Sequence, residues 1–494
     1  MDLDPRVCDR ARRSRDARFD GRFFIGVTST GIYCRPICPA RAPKDEHIRY
    51  YPTAAAAEAA GLRPCLRCRP EASPGTPAWF GTSGIVSRAL RLIGEGALDQ
   101  DGVEALADRL GVTARHLRRL FLQHLGATPF DVASTRRVHF AKKLLDETTL
   151  ALSQVAYASG FGSLRGFNTQ MRRTYARTPT ELRRLARRHT AADPECYRFR
   201  LAYRPPYDWD ALLAFLRARA IPAVESVDEN RYRRTIVVDG QQGTIALSHL
   251  DSRSALLLDV RFPDPRALLT IVERVRRMFD LGADPSTIGD HLRADPLLRR
   301  SLARHPGIRI PGTWDGFELT VLALLDDRTA ARTASSLAGQ IAATFGSAST
   351  AGVGLERLFP TPAQLADAEI ERCGVPPLQA DAIRMLARAV MKASIAFGAC
   401  VDGRAALRAL PGMDEWSMEY VAMRAMNEPD AFPYGDRVSV QRSDVWRPWR
   451  AYAAMLLWQD AADEPMRGVR RKRAPRAVRA HAGTAAAPRV AADR

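Results

Sequence analysis

The chain has 494 residues, 46% of them hydrophobic, and carries 74 Lys plus Arg against 55 Asp plus Glu, a net charge of +19. This length predicts two to four domains with real cores; no apolar run reaches the roughly 18 residues of a membrane span and the start has no apolar signal-peptide core, so a soluble, cytoplasmic protein without a membrane partner is expected. The pI near 10.1 points to a polyanionic partner, nucleic acid first, against the alternative of an arginine-rich proteome that raises Arg everywhere.

Eight cysteines are too few for a disulfide scaffold, and four of them cluster. "TGIYCRPICPARAPKDEHIRY" holds Cys34 and Cys38 as C-x3-C, and "RPCLRCRP" follows with Cys65 and Cys68 as C-x2-C. In a reducing compartment this spacing reads as four-thiolate zinc rather than disulfide; the alternative is four unconnected thiols. Arg35, Arg41, Arg63, Arg67 and Arg69 are expected to ring the centre with cations suited to a phosphate backbone. Cys8, Cys196, Cys373 and Cys400 are scattered, as small buried hydrophobes are.

"DGRFFIGVTSTGIYCRPICPAR…GLRPCLRCRPE" closely resembles the N-terminal domain of the Ada adaptive-response proteins, over about residues 8–72. The resemblance implies one structural and reactive Zn2+, with Cys34 taking a methyl group irreversibly from a DNA methylphosphotriester. Cys38, Cys65 and Cys68 would be the other ligands, and Thr30 and Arg41 would contact DNA. A domain over 1–75 is expected.

After the linker "PEASPGTPAWFGTSG", a helical region is predicted over 83–188. "ALADRLGVTARHLRRLFLQHLGATP" is echoed about fifty residues later by "QVAYASGFGSLRGFNTQMRRTYARTP", pairing Gly111 with Gly160, Phe121 with Met171 and Pro129 with Pro179. Each copy reads as helix, turn, helix. The second helices carry Arg115, His116, Arg118 and Arg119 in one copy, and Ser163, Arg165, Asn168, Gln170 and Arg172 in the other. Such side chains suit base edges and phosphates in a major groove; the alternative is a helical bundle with a solvated basic face. The tandem, joined by "PFDVASTRRVHFAKKLLDETT", resembles the AraC-type DNA-binding domain. That implies an activator whose partner is RNA polymerase.

From about Tyr197 the texture becomes α/β, with strand-like "YRRTIVVDG", "GTIALSHL" and "ALLLDVRF" predicted in a domain over 195–265. A helical domain is expected over 266–465. Near its end "ALRALPGMDEWSMEYVAMRAM" reads as helix, turn at Gly412, helix, able to aim backbone N–H groups at a phosphate. Trp416, Tyr420 and Met423 share a face, as core or as a base-binding pocket.

"RPPYDWDALLAFL", "RHPGIRIPGTWDGFE", "DAFPYGD" and "WRPWRAYAAMLLW" closely resemble the AlkA-type 3-methyladenine DNA glycosylases, over about residues 197–465. The resemblance implies a helix-hairpin-helix grip on the strand, Ile310 as the wedge filling the gap of a flipped base, and Asp436 as the catalytic carboxylate. It places Phe215, Trp416, Tyr420 and Trp458 in the base pocket. Three features depart from the family pattern. Asp414 stands where a second hairpin glycine is usual, "LLDDRTAARTA" adds Asp326 and Asp327, and only ten positions separate Asp436 from Trp446. The Arg- and Ala-rich tail over 466–494 has no periodicity and is expected to be disordered.

The reading is a multidomain α+β protein. It comprises a small zinc domain, an all-α tandem helix-turn-helix domain, and an α+β unit with an antiparallel sheet and a helix-hairpin-helix glycosylase core. The expected function is an alkylation-damage response on double-stranded and alkylated DNA, as glycosylase and methylation-sensing regulator at the nucleoid. The alternative is a regulator whose glycosylase domain only binds DNA.

Overall fold

The computed structural model describes residues 4–74, 84–99, 101–186, 196–326, 331–395, 397, 403–433 and 440–463. The first unit opens with α1 (Pro5–Ser14), capped by Asp4 and with proline at its first position. A sheet of β1 (Phe24–Val27), β2 (Ile32–Cys34), β3 (Ile48–Tyr51) and β4 (Arg63–Pro64) follows, in the order β3-β1-β2-β4, with α2 (Ala54–Ala59) before β4. β2 and β4 run parallel, Tyr33 beside Pro64, and the Cys65 amide donates to the Tyr33 carbonyl at 3.0 Å. This pairing sets the two cysteine loops side by side at one end of the sheet.

Seven helices come next among the described residues: α3 (Gly84–Gly94), α4 (Val103–Arg109), α5 (Ala114–Leu125), α6 (Pro129–Glu147), α7 (Leu152–Ala158), α8 (Leu164–Tyr175) and α9 (Pro179–Leu185). The internal repeat is structural. Gly111 and Gly160 turn the chain at φ 67° and 81°, a region that favours glycine. Phe121 and Met171 are fully buried. Pro129 and Pro179 each start a helix behind a capping box, Thr128 with Asp131 and Thr178 with Glu181.

β5 (Cys196–Ala202) leads into α10 (Trp209–Arg217), and β6 (Glu225–Val227), β7 (Arg231–Val238), β8 (Gln241–Leu250) and β9 (Ala255–Arg261) complete an antiparallel sheet ordered β5-β9-β8-β7-β6. The three strands read from the sequence are β7, β8 and β9. Helices fill the rest: α11 (Leu268–Met278), α12 (Pro285–Leu292), α13 (Pro296–Arg304), α14 (Gly316–Leu325), α15 (Ala331–Phe345), α16 (Pro362–Leu365), α17 (Pro377–Met391), α18 (Gly403–Arg408), α19 (Glu415–Arg424), α20 (Val440–Ser443) and α21 (Arg450–Asp463). The sheet does not have a core of its own. Its apolar face, α10 and α11 share one hydrophobic cluster with α6 to α9, and Phe140 meets Phe199 at 6.3 Å between ring centroids. A second cluster holds α12 to α19 and α21 together around α14, which is buried nearly all round.

Candidate functional site

The two cysteine loops bring the Sγ atoms of Cys34, Cys38, Cys65 and Cys68 within 4.8 Å of one another. A zinc ion with sulfur at about 2.3 Å in a tetrahedron sets its ligands roughly 3.8 Å apart, so this donor set fits Zn2+, and these four residues form a zinc site. Cys65 and Cys68 are each 7% exposed, whereas Cys34 and Cys38 are half-buried. An electrophile can therefore reach only the first pair. The Arg35 amide donates to Cys68 Sγ at 3.4 Å.

The expected ring of five cations is a set of three. Arg35 is buried, with Nε on Asp20 at 2.8 Å and Nη1 on the Cys68 carbonyl at 3.0 Å, so it braces the loop from inside. Arg69 is claimed by Glu71 at 3.2 Å and Asp146 at 2.6 Å. Arg41, Arg63 and Arg67 are exposed, as is Thr30, whose hydroxyl donates to the Val27 carbonyl at 3.4 Å.

On the second helices of the repeat, α5 and α8, Arg115, Arg118, Arg165 and Asn168 are all exposed. Arg118 pairs with Glu104 at 3.1 Å. Ser163, exposed, caps α8, and Gln170 donates to Ser134 at 3.2 Å. The zinc unit seats on α6 through Glu58. That carboxylate accepts from Tyr33 and Thr135 at 2.8 Å each, and lies 3.1 Å from His139 Nε2.

Three helices of the last unit gather four aromatic rings: Phe215 from α10, Trp416 and Tyr420 from α19, Trp458 from α21. Trp416 stacks on Tyr420 at 5.1 Å and 12°, and Phe215 on Trp458 at 6.2 Å and 14°. Trp458 lies 6.3 Å from Trp416 and 6.2 Å from Tyr420. Phe215 and Tyr420 form a buried wall, and Trp416 and Trp458 are half-buried in front of it. Met423, on the same predicted stripe, is fully buried core. The stripe thus divides between pocket and core.

Beside these rings the hairpin turns at Gly412, φ 76° and exposed. Asp414 caps α19, accepting from the Ser417 amide at 2.7 Å. Ile310 does not stand out as a wedge. It is 5% exposed and packed in the core, its amide donating to Asp280 at 3.2 Å, so it offers no surface to insert into a duplex in this conformation. Asp326 ends α14 as its C-cap. Asp436, Asp327 and the tail lie outside the described residues. In the described part of the shortened stretch, buried Trp446 donates to Asp295 at 2.8 Å and Arg442 pairs with it at 2.7 Å. Sequence reasoning missed Arg424, which lies one helical turn past Tyr420 and donates to its hydroxyl at 2.5 Å. Its spacing from Tyr420 was visible; its burial was not.

Among the described residues no helix is long and apolar enough to cross a membrane. Three family models match: the metal binding domain of Ada over residues 7–71, a helix-turn-helix domain over 106–185, and the AlkA N-terminal domain over 198–315. A DNA-3-methyladenine glycosylase 2 of Escherichia coli is 28% identical over 293 residues, 54% of this chain and 99% of that protein. The bifunctional transcriptional activator/DNA repair enzyme Ada of the same species is 40% identical over 119 residues, 24% of this chain and 31% of that one. A probable bifunctional transcriptional activator/DNA repair enzyme AlkA of Mycobacterium tuberculosis is 40% identical over 476 residues, covering 91% of this chain and 95% of its own length. With that likeness running through the zinc unit, the tandem helix-turn-helix and the aromatic pocket alike, the chain belongs to the family of bifunctional AlkA-type transcriptional activators and DNA repair proteins.

Proposed function

We propose that this protein answers DNA alkylation by two chemistries, methyl acceptance at Cys34 and release of alkylated bases in the aromatic pocket. The observation that carries the reading is the division of the four thiolates, two buried and two open, with Cys34 in the open pair. Bound Zn2+ supplies the charge that keeps the sulfurs deprotonated at neutral pH. Cys34 Sγ attacks the methyl carbon of a phosphotriester; the S–C bond forms, the C–O bond breaks with its electron pair, and a phosphodiester leaves. The three other sulfurs hold geometry, and Arg41, Arg63 and Arg67 face the backbone. The thiolate becomes a thioether, so the centre loses one negative charge and its repulsion from DNA falls. The tandem helix-turn-helix then binds promoter DNA more tightly and, as an activator, engages RNA polymerase at the nucleoid.

In the last unit the hairpin at Gly412 grips the strand, and a flipped base stacks on the half-buried Trp416 and Trp458. Asp436 stabilises positive charge growing on the sugar as the N-glycosidic bond breaks, which needs an anion beside the sugar rather than a strong base. This is hydrolysis of the DNA-3-methyladenine glycosylase II type. The test is base release from alkylated duplex. Wild type is expected to exceed spontaneous depurination, and Asp436→Asn to abolish release while still binding DNA. Wild type at the spontaneous rate, even at stoichiometric protein, leaves a regulator whose last unit only binds DNA.

A further inference from the structure

The four sulfurs of the zinc site lie within 4.8 Å of one another, but their loops are held differently. Cys65 and Cys68 are each 7% exposed. The Cys65 amide donates to the Tyr33 carbonyl at 3.0 Å, and the Cys65 carbonyl accepts from the Arg69 amide at 3.0 Å. Cys68 Sγ accepts from the Arg35 amide at 3.4 Å, and the Cys68 carbonyl accepts from Arg35 Nη1, a side chain itself braced on Asp20. Cys34 and Cys38 are half-buried. Cys34 ends β2, whereas the run from Arg35 to Lys44, which carries Cys38, belongs to no helix or strand. The Cys38 amide donates only as far as the Arg35 carbonyl, at 3.1 Å. The other described thiols lie outside this group: Cys8 and Cys373 are buried, and Cys196 starts β5.

A reachable thiolate with a second thiolate beside it is open to peroxides. Cys34 Sγ attacks one peroxide oxygen; the S–O bond forms, the O–O bond breaks with its electron pair, and hydroxide leaves. The Cys38 thiolate then attacks the Cys34 sulfur; the S–S bond forms, the S–O bond breaks, and a second hydroxide leaves. Two electrons have passed from the pair to one peroxide. A disulfide needs its sulfurs at about 2.05 Å, so one loop must move. The irregular run bearing Cys38 has that freedom, and the braced loop of Cys65 and Cys68 does not. Once joined, the two sulfurs have lost their thiolate charge, and Cys65 and Cys68 alone do not complete a tetrahedral zinc site. A dithiol reductant restores the pair by exchange.

We propose that Cys34 and Cys38 are a peroxide-sensitive pair, oxidised to a disulfide that releases the zinc, so that this site answers peroxides as well as methyl donors. The inference rests on the zinc site and not on methyl transfer. Its test uses the full chain, reduced and loaded with zinc, and hydrogen peroxide added in steps. Zinc release is followed with a chromogenic chelator, and linkages by peptide mapping without reduction. The first linkage should be Cys34–Cys38, formed at least as fast as free glutathione in the same tube is oxidised. One zinc should be lost per disulfide, with Cys65 and Cys68 still recovered as free thiols. Dithiothreitol and zinc should restore the starting state. The oxidised chain should take no methyl from a methylphosphotriester duplex until it is restored. A chain that takes no methyl in either state, yet forms the disulfide, removes the methyl-transfer reading and supports the peroxide pair. A first linkage that includes Cys65 or Cys68 overturns the inference. So does zinc retained while Cys34 runs on to its sulfinic acid, or a pair that outlasts the glutathione.

Discussion

Asp280 sits between the Ile310 amide at 3.2 Å and the Tyr452 hydroxyl at 2.8 Å, and burial pushes its carboxyl up to about 6. The unfolded value is about 3.9, so between roughly pH 4 and 6 the folded state holds the extra proton and stability falls as pH rises. Above that window a charged carboxylate stays buried. Asp280→Asn keeps an acceptor for both partners, so it should be more stable than wild type at pH 7 by up to about 3 kcal/mol, with the advantage fading toward pH 4. Urea midpoints at the two pH values check this, and an equal difference at both contradicts it. At the thiolate centre, Cys65→Ala should lose tightly held zinc, read by metal analysis of reduced protein, and wild-type affinity should fall as pH drops because protons compete for the sulfurs. One zinc retained at wild-type affinity rules out the four-ligand site. The four cysteines were legible because two short loops declare their spacing. The fate of Arg35 was not, since it depends on Asp20, fifteen residues away and brought close only by the fold.

Helix α19 shows how one substitution acts at two levels. Asp414 satisfies an orphan amide at the helix start, yet sets a negative charge on the hairpin proposed to meet a phosphate. Glycine is nearly as good a cap, so Asp414→Gly should destabilise by only a few tenths of a kcal/mol. It should tighten DNA binding several-fold at low salt, an effect that shrinks as salt screens the pair. Fluorescence anisotropy on duplex DNA reads both trends; weaker binding at low salt would mean that the cap matters more than the charge. The tandem helices were legible from their left-handed glycines and helix-starting prolines, because those residues answer to local backbone geometry. Ile310 and Met423 were not, because whether an apolar side chain faces DNA or core is set by the elements packed around it.

Across the whole molecule, a sequence that reads as successive domains folds with shared cores and shared charges. Helix α6 meets β5 through Phe140 and Phe199, and Lys143 Nζ donates to the Arg200 carbonyl at 2.6 Å. Arg22 of the zinc unit pairs with Asp284 at 3.1 Å, and Glu58 ties Tyr33, the neighbour of Cys34, to His139 and Thr135 of α6. These contacts join residues tens to hundreds of positions apart, which no local pattern announces. They tie the loop of Cys34 to the tandem helix-turn-helix unit, so the proposed methyl transfer to Cys34 would be felt in the unit proposed to hold promoter DNA. The most direct measurement is peptide mass mapping of the full chain after incubation with duplex carrying methylphosphotriesters, with promoter affinity followed on the same sample. A single methyl is expected on Cys34, none on Cys38, Cys65 or Cys68, with a rise in affinity that tracks the modified fraction. A methyl on Cys38, or an unmodified chain, would overturn methyl acceptance at Cys34.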